Sequence, residues 1–302
     1  MTSGSFYLAP ETDNMDLEQA PLWGNETVIL DFCGGPYRFD GLSHSQAQAI
    51  RQRYRHYLLP QVPDNSIITR LYRLDEQCFR PIDTRGWTYE RMEYRHALKQ
   101  VEVAGLKLRT RLIFAPRLRG VLGTSLDDHP WFSGLVFENY FRMLVAYRLL
   151  SLGGVMLHSA GIVSGGKARL FPGHSGAGKS TLSEQAGRHG LLVLSDDLNV
   201  LLPEKKRIQV EKVPFTGTFA QQPDSRYSFP LGGIFKLVQG GTNHLDELGP
   251  GAALSLMLSC SPFVNEDPFR FDQLAANLSR ILKQTTTGRL TFNRDGGCLR
   301  LF

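Results

Sequence analysis

The sequence predicts an α/β protein in two parts: a mixed-sheet domain over residues 128–302, preceded by a smaller α+β domain over residues 1–127. Three observations predict it. Gly173-His174-Ser175-Gly176-Ala177-Gly178-Lys179-Ser180-Thr181 is a glycine-rich loop between a strand pattern, Ala168–Phe171, and a helix pattern, Lys179–Arg188. A second strand pattern, Val155–Val163, is joined to the first by Ser164-Gly165-Gly166, so the loop strand pairs antiparallel with its predecessor and the sheet is mixed. The first 125 residues carry short alternating strand patterns around a single helix pattern.

Composition narrows the class. The chain has 302 residues, enough for two ordinary domains each with its own core. Hydrophobic residues at 42% and charged residues at 21% exclude a disordered or membrane-embedded chain. A net charge of +5 is mild, and an anionic nucleotide or acidic partner accounts for it as well as nucleic acid does. Cys33, Cys78, Cys260 and Cys298 are scattered without C-x-x-C spacing, which argues against zinc or a disulfide framework and for a reducing compartment. Met1–Met15 is acidic and lacks a basic-then-apolar leader pattern. The apolar stretch Leu135–Met156 is broken by Glu138, Arg142, Arg148 and Gly153-Gly154, so it fails as a membrane span. The expectation is a soluble cytoplasmic protein with neither nucleic acid nor membrane as partner, and a homo-oligomer is left open.

In chain order, residues 1 to about 20 read as poorly ordered. Thr27–Phe32 and Tyr37–Phe39 read as a hairpin about Gly34-Gly35. Ser43–Leu59 reads as a helix carrying Arg51, Arg53, Arg55 and His56, either a basic docking face or a solvated flank. Short strands follow at Ile67–Leu74, Tyr89–Arg95, Ala97–Val103, Leu106–Phe114 and Arg119–Leu122. Asp127–Pro130 has the acid-then-proline signature of a helix start, and Trp131–Leu150 carries an aromatic stripe that reads as core. Beyond the loop helix come a strand at Leu191–Leu194, a hairpin at Leu198–Val213, a turn at Pro214–Gly217 and a strand at Leu231–Gln239. Helices at Pro250–Leu258 and Pro268–Gln284 precede a closing hairpin, Arg289–Phe292 and Leu299–Phe302 about Asp295-Gly296-Gly297.

The loop has the G-x-x-x-x-G-K-[ST] spacing of a phosphate-binding loop, and each residue type has a task there. Gly173, Gly176 and Gly178 let the backbone turn and aim N–H groups of His174, Ser175, Ala177 and their neighbours into one concavity; Lys179 supplies a charge for the β/γ-phosphates; the Ser180 hydroxyl can ligate Mg²⁺, with Thr181 beside it. Opening a helix, the loop also gains the dipole and free amides of its N-terminus. Asp196-Asp197 follows Lys179 by 17 positions, room for one short helix and one strand, so both acids return to the loop's edge of the sheet. One would serve a metal and the other an incoming hydroxyl; the alternative is a surface turn. His158, in the apolar strand before the loop, is either a core histidine or a group near the γ-phosphate.

Leu157–Gly161, Leu170–Ser180 and Leu194–Asp197, with 15 residues from His158 to Gly173 and 23 from Gly173 to Asp196, resemble the catalytic domain of HPr kinase/phosphorylase. That resemblance implies a phosphoenolpyruvate-carboxykinase-like P-loop kinase fold using ATP and Mg²⁺. It implies Asp197 as the base toward an acceptor hydroxyl, Asp196 at the metal or substrate, His158 beside the transferred phosphate and Ser180 on Mg²⁺. Glu211 and Lys236 are further metal and phosphate contacts by position. Thr181 stands where that family has Glu, the family's Pro-Val-x-x-Gly-Arg segment is absent, and residues 1–125 do not resemble its N-terminal domain. The expected acceptor is therefore a serine-containing protein, peptide or small molecule other than HPr, with phosphorolysis as the reverse reaction. A nucleotide-binding switch or scaffold is the alternative, and a carboxykinase a third reading that lacks a visible cationic substrate pocket.

Overall fold

The computed structural model describes residues 16–79, 92–105, 107–127, 131–215 and 227–301. The expectations for residues 1–15, 89–91, 106, 128–130 and 216–217 fall outside them. The chain divides into two compact units, Met1–Phe141 and Arg142–Phe302.

In the first unit, β1 (Glu26–Leu30) and β2 (Tyr37–Leu42) form the expected antiparallel hairpin. The helix α1 (His44–Arg53) starts where Ser43 and Gln46 exchange side-chain and backbone hydrogen bonds, a capping box, and it buries Gln46, Ala47 and Ile50. Its basic residues pair along the helix surface: Arg51 bonds Glu26 at 2.9 Å, and Arg53 pairs with Glu138. The helix ends at Arg53, short of the expected Leu59, and Arg55 and His56 lie in a following 3₁₀ turn, Arg55–Tyr57. The strands β3 (Ile67–Arg73), β4 (Glu93–His96), β5 (Gln100–Gly105), β6 (Leu108–Ile113) and β7 (Arg119–Thr124) complete a mixed sheet in the order β1-β2-β3-β7-β6-β5-β4. A π-helical turn, Phe132–Phe137, leads into α2 (Glu138–Ser151), and the unit boundary falls inside that helix. The aromatic stripe is core as expected: Phe137 and Phe141 pack against Phe39 and Tyr54 in edge-on geometry, which suits aromatic quadrupoles. Gly153, with φ of +81°, stops α2 as the left-handed C-terminal residue that glycine adopts without strain.

The second unit starts from β8 (Val155–Ser164) and β9 (Lys167–Pro172), antiparallel about Gly165-Gly166 as expected. The loop then opens α3 (Lys179–Arg188), whose Leu182 and Ala186 pack with Phe171, Val193, Phe235 and Phe292. Next come β10 (Leu192–Ser195), β11 (Leu198–Glu204), β12 (Arg207–Glu211), β13 (Ser228–Gln239) and β14 (His244–Glu247). Two helices, α4 (Pro250–Ser259) and α5 (Phe271–Leu282), precede β15 (Thr287–Phe292). β8 pairs with β11 through its first half and with β9 and β10 through its second, while β13 pairs with β12, β9 and β15 in turn. β8, β11, β12, β13 and β9 thus close a ring of pairings. β9, β13 and β15 run parallel, so the sheet is mixed.

Two expectations need correction. The closing hairpin does not form: β15 pairs with β13 and with β14, which periodicity did not reveal, and Gly297–Leu301 is a 3₁₀ helix. The reason lies in the turn, where the Asn293 side chain accepts from the Asp295 amide and Asp295 from the Gly297 amide at 2.7 Å. These local bonds coil the chain and bury Cys298 and Leu299 in the α3 core. The last helix starts at Phe271 rather than Pro268 because the Asp267 carboxylate takes the Phe269 amide and the Arg270 guanidinium. No described helix is long and apolar enough to cross a membrane.

Candidate functional site

Gly178 is the N-cap of α3 at φ +99°, with no side-chain cap, so the first-turn amides of Lys179, Ser180 and Thr181 are not taken by a capping group. A Cβ on Gly178 would lie 2.6 Å from Phe292 Cζ, and one on Gly173 would lie 2.8 Å from the Ala177 Cβ. Only glycine lets the backbone turn at these two points. Gly176 is also left-handed, and Ala177 N–H donates to the His174 carbonyl at 3.2 Å, which closes the loop. His174, Ser175, Gly176 and Ser180 are exposed, whereas Lys179 is buried. The Lys179 ammonium donates to the Gly173 and His174 carbonyls at 2.7 and 3.1 Å, which draws the charge into the loop. Burial lowers its pKa, and the charges of Asp197 and Asp196 act the other way.

β10 delivers the acids to this loop. The Ser180 hydroxyl donates to Asp196 Oδ2 at 3.0 Å, and Asp196 is only 3% exposed. The Ser195 hydroxyl accepts the Asp197 and Leu198 amides and turns the chain so that consecutive acids face different partners. Asp197 Oδ1 lies 3.3 Å from His158 Nε2, and Oδ2 lies 3.6 Å from an Arg142 nitrogen. Burial raises the Asp197 carboxyl, but the His158 bond and the Arg142 and Lys179 charges outweigh it and hold the group below the usual range. His158 is half-buried, and its backbone is pinned because its amide donates to the Cys260 carbonyl at 2.7 Å.

The structure therefore brings together Gly173, His174, Gly176, Gly178, Lys179, Ser180, His158, Asp196 and Asp197. Glu211 ends β12 opposite Val200 and Ser228, and among the described residues no group of three His, Cys, Asp or Glu side chains converges as a metal site. Lys236 is exposed on β13 opposite Arg289, and it is Gln239, three residues on, that reaches the loop, donating to the Gly176 carbonyl at 2.8 Å.

Sequence reasoning missed three neighbours. Arg142 registered only as an interruption of an apolar stretch, yet its guanidinium lies beside Asp197 and 5.5 Å from the Phe215 ring centroid. Cys260, at the end of α4, has the Gly173 amide and Lys179 as its electrostatic neighbours. Gln239 closes the flank opposite the acids. A basic residue in an apolar helix, at α2, was the one signal in the sequence.

The residues fit a magnesium triphosphate on two observations. The α3 N-terminus is uncapped by a side chain, and the Ser180 hydroxyl and Asp196 carboxylate form a hard-oxygen pair of the kind Mg²⁺ takes alongside phosphate oxygens.

No protein-family model matches the chain, and no curated protein sequence matches it. Among solved structures, it is similar to the Hpr(Ser) kinase/phosphatase from Coxiella burnetii, with 11% identity and a TM-score of 0.26, over 48% of this chain and 90% of that one. This is a distant structural likeness.

Proposed function

We propose that the chain is an ATP- and Mg²⁺-dependent kinase with a phosphoenolpyruvate-carboxykinase-like P-loop domain. It moves the γ-phosphoryl group onto a hydroxyl, a serine of a protein, peptide or small molecule other than HPr. The observation that carries the reading is the 3.0 Å bond between Ser180 and Asp196, which sets the loop hydroxyl and the first of the twin acids at one spot. The loop amides and Lys179 hold the phosphates by main-chain dipoles and a partly desolvated charge. Ser180 and Asp196 would hold Mg²⁺, which would supply positive charge at the phosphate oxygens. Asp197, kept ionised beside Arg142 and His158, takes the proton from the acceptor hydroxyl. The acceptor oxygen forms its bond to the γ-phosphorus as the bond to the β-bridging oxygen breaks, and that electron pair leaves with ADP. His158, hydrogen-bonded to Asp197, fixes its orientation.

The experiment uses purified full-length protein with γ-labelled ATP, Mg²⁺ and candidate acceptors: serine, serine peptides and a host extract. Labelling that is lost in Asp197→Asn, with nucleotide affinity retained, is the expected result. Tight ATP binding with no acceptor labelled would overturn the kinase in favour of a nucleotide-binding switch.

A further inference from the structure

Four strands of the second unit run in one direction and end on one edge. β10 is antiparallel to β8 and β8 to β9, so β10 runs with β9, and β13 and β15 run parallel to β9 as well. Along that edge lie, in order, the acids after β10, the loop after β9, the turn Gly240–Asn243 after β13, and the turn Asn293–Gly297 after β15. Although the sheet as a whole is mixed, β9, β13 and β15 are a parallel run, and in parallel sheets ligands lie across the carboxyl ends of the strands. The loop touches both its flanks. On one side Ser180 meets Asp196; on the other Gln239 bonds the Gly176 carbonyl and Phe292 stands against Gly178.

A triphosphate whose terminal phosphate faces the acids must direct its nucleoside the other way. Neighbouring strands are about 4.8 Å apart, so the end of β15 lies about 10 Å from the loop strand, on the side to which the nucleoside must point. The two turns there are tied into one polar shelf. Asn243 donates to Asn293 Oδ1 at 3.2 Å and to Asp295 Oδ1 at 2.8 Å, its own Oδ1 accepts the Asn293 amide, and Gln185 of α3 donates to the Asn293 carbonyl. Arg294 and Asp295 are exposed on it. An exposed carboxylate on a fixed turn beyond a parallel strand suits two vicinal hydroxyls, as carboxylates take ribose hydroxyls in dinucleotide folds.

We propose that the turns Gly240–Asn243 and Asn293–Gly297 form a nucleoside subsite, with Asp295 accepting hydrogen bonds from the ribose hydroxyls of the phosphate donor. This rests on the phosphate reading of the loop. It makes the donor a ribonucleoside triphosphate rather than an inorganic polyphosphate.

The test is isothermal titration of the full chain in Mg²⁺ with ATP, with dideoxy-ATP, which lacks both ribose hydroxyls, and with inorganic tripolyphosphate. Wild type should bind ATP at least about tenfold more tightly than either, the worth of a hydrogen bond to a charged group. In Asp295→Asn the preference for ATP over dideoxy-ATP should vanish while tripolyphosphate affinity stays put, since Asn keeps an oxygen for the Gly297 amide. Equal affinity for ATP and dideoxy-ATP in wild type, or unchanged discrimination in Asp295→Asn, would overturn the subsite and leave the loop reading standing. Failure of tripolyphosphate to bind wild type, or binding that persists in Lys179→Ala, would instead overturn the loop reading itself.

Discussion

Arg142 of α2 lies 3.6 Å from Asp197 Oδ2, while His158 of β8 lies 3.3 Å from Oδ1, so one acid is held between a guanidinium and an imidazole from different elements. Arg142 acts on the reaction through Asp197 and is a positioning residue. Arg142→Ala should lower kcat about a hundredfold, the scale of losing orientation at a reacting group, while leaving the ATP dissociation constant within about threefold. Arg142→Lys should recover part of the loss, because a charge returns without the planar fork. A variant that weakened ATP binding and kcat equally would point to a collapsed loop instead.

Lys179 is the one charge buried inside the loop, and its ammonium bridges the Gly173 and His174 carbonyls. Lys179→Ala should reduce kcat/KM about a thousandfold, since a preorganised electrostatic group is lost from a partly desolvated site. Lys179→Met keeps the packing of the aliphatic stem and should separate charge from shape. Stopped-flow binding of a fluorescent ATP analogue with both variants checks this: equal losses implicate the charge, and near-wild-type binding by Met would remove it from the phosphate site.

Where sequence and structure agree, local chemistry sets the outcome. Ser43 and Gln46 are a capping pair readable at three-residue spacing, and Gly178-Lys179-Ser180 reads as a loop entering a helix because only glycine takes φ near +99° there. The approach of Asp196 to Ser180 followed from counting one helix and one strand. Arg142 and Cys260 were not legible, because their roles come from tertiary placement at Asp197 and Gly173, far off in sequence. The closing hairpin was misread for a different reason. Asp295-Gly296-Gly297 has hairpin composition, but its side-chain bonds to the backbone favour a tight coil. β14 escaped notice because His244–Glu247 is exposed throughout and so has no alternation.

Cys260 and Cys298 are buried thiols with pKa values raised by burial, in Cys260 against the pull of Ser259, Lys179 and the Gly173 amide. In the unfolded chain a thiol ionises near pH 8.5, before the folded one does, so the folded state retains more protons in that range. Stability contributed by these thiols is complete below that pH and is lost as pH rises toward the folded values. Urea midpoints measured from pH 7 to pH 10 should fall along the alkaline limb, and Cys260→Ala should flatten the fall. Iodoacetamide labelling of Cys260 should be slow at neutral pH and accelerate only above the ordinary thiol range; fast labelling at pH 7 would contradict the burial argument.

Gly120 of β7 has the Tyr140 hydroxyl of α2 where a Cβ would be, and that hydroxyl is 2.7 Å from Thr69 Oγ1 in a fully buried pair. Burial raises the Tyr140 phenol far above its usual range, so the hydroxyl is neutral and its hydrogen bond with Thr69 is the one that satisfies it. Gly120→Ala must push the ring away from β3, combining overpacking with a stranded polar group, and should cost about 3 kcal/mol. Tyr140→Phe alone should cost about 1 kcal/mol for the broken pair. In the Phe background the built Cβ no longer meets the hydroxyl but only the ring carbon at 3.0 Å and the rotatable Thr69 Oγ1 at 2.9 Å, so its added cost should shrink to about 1 kcal/mol and the two effects should not add. Urea unfolding of the four proteins at one pH gives the cycle; additive costs would mean that the glycine serves the strand backbone and not the tyrosine.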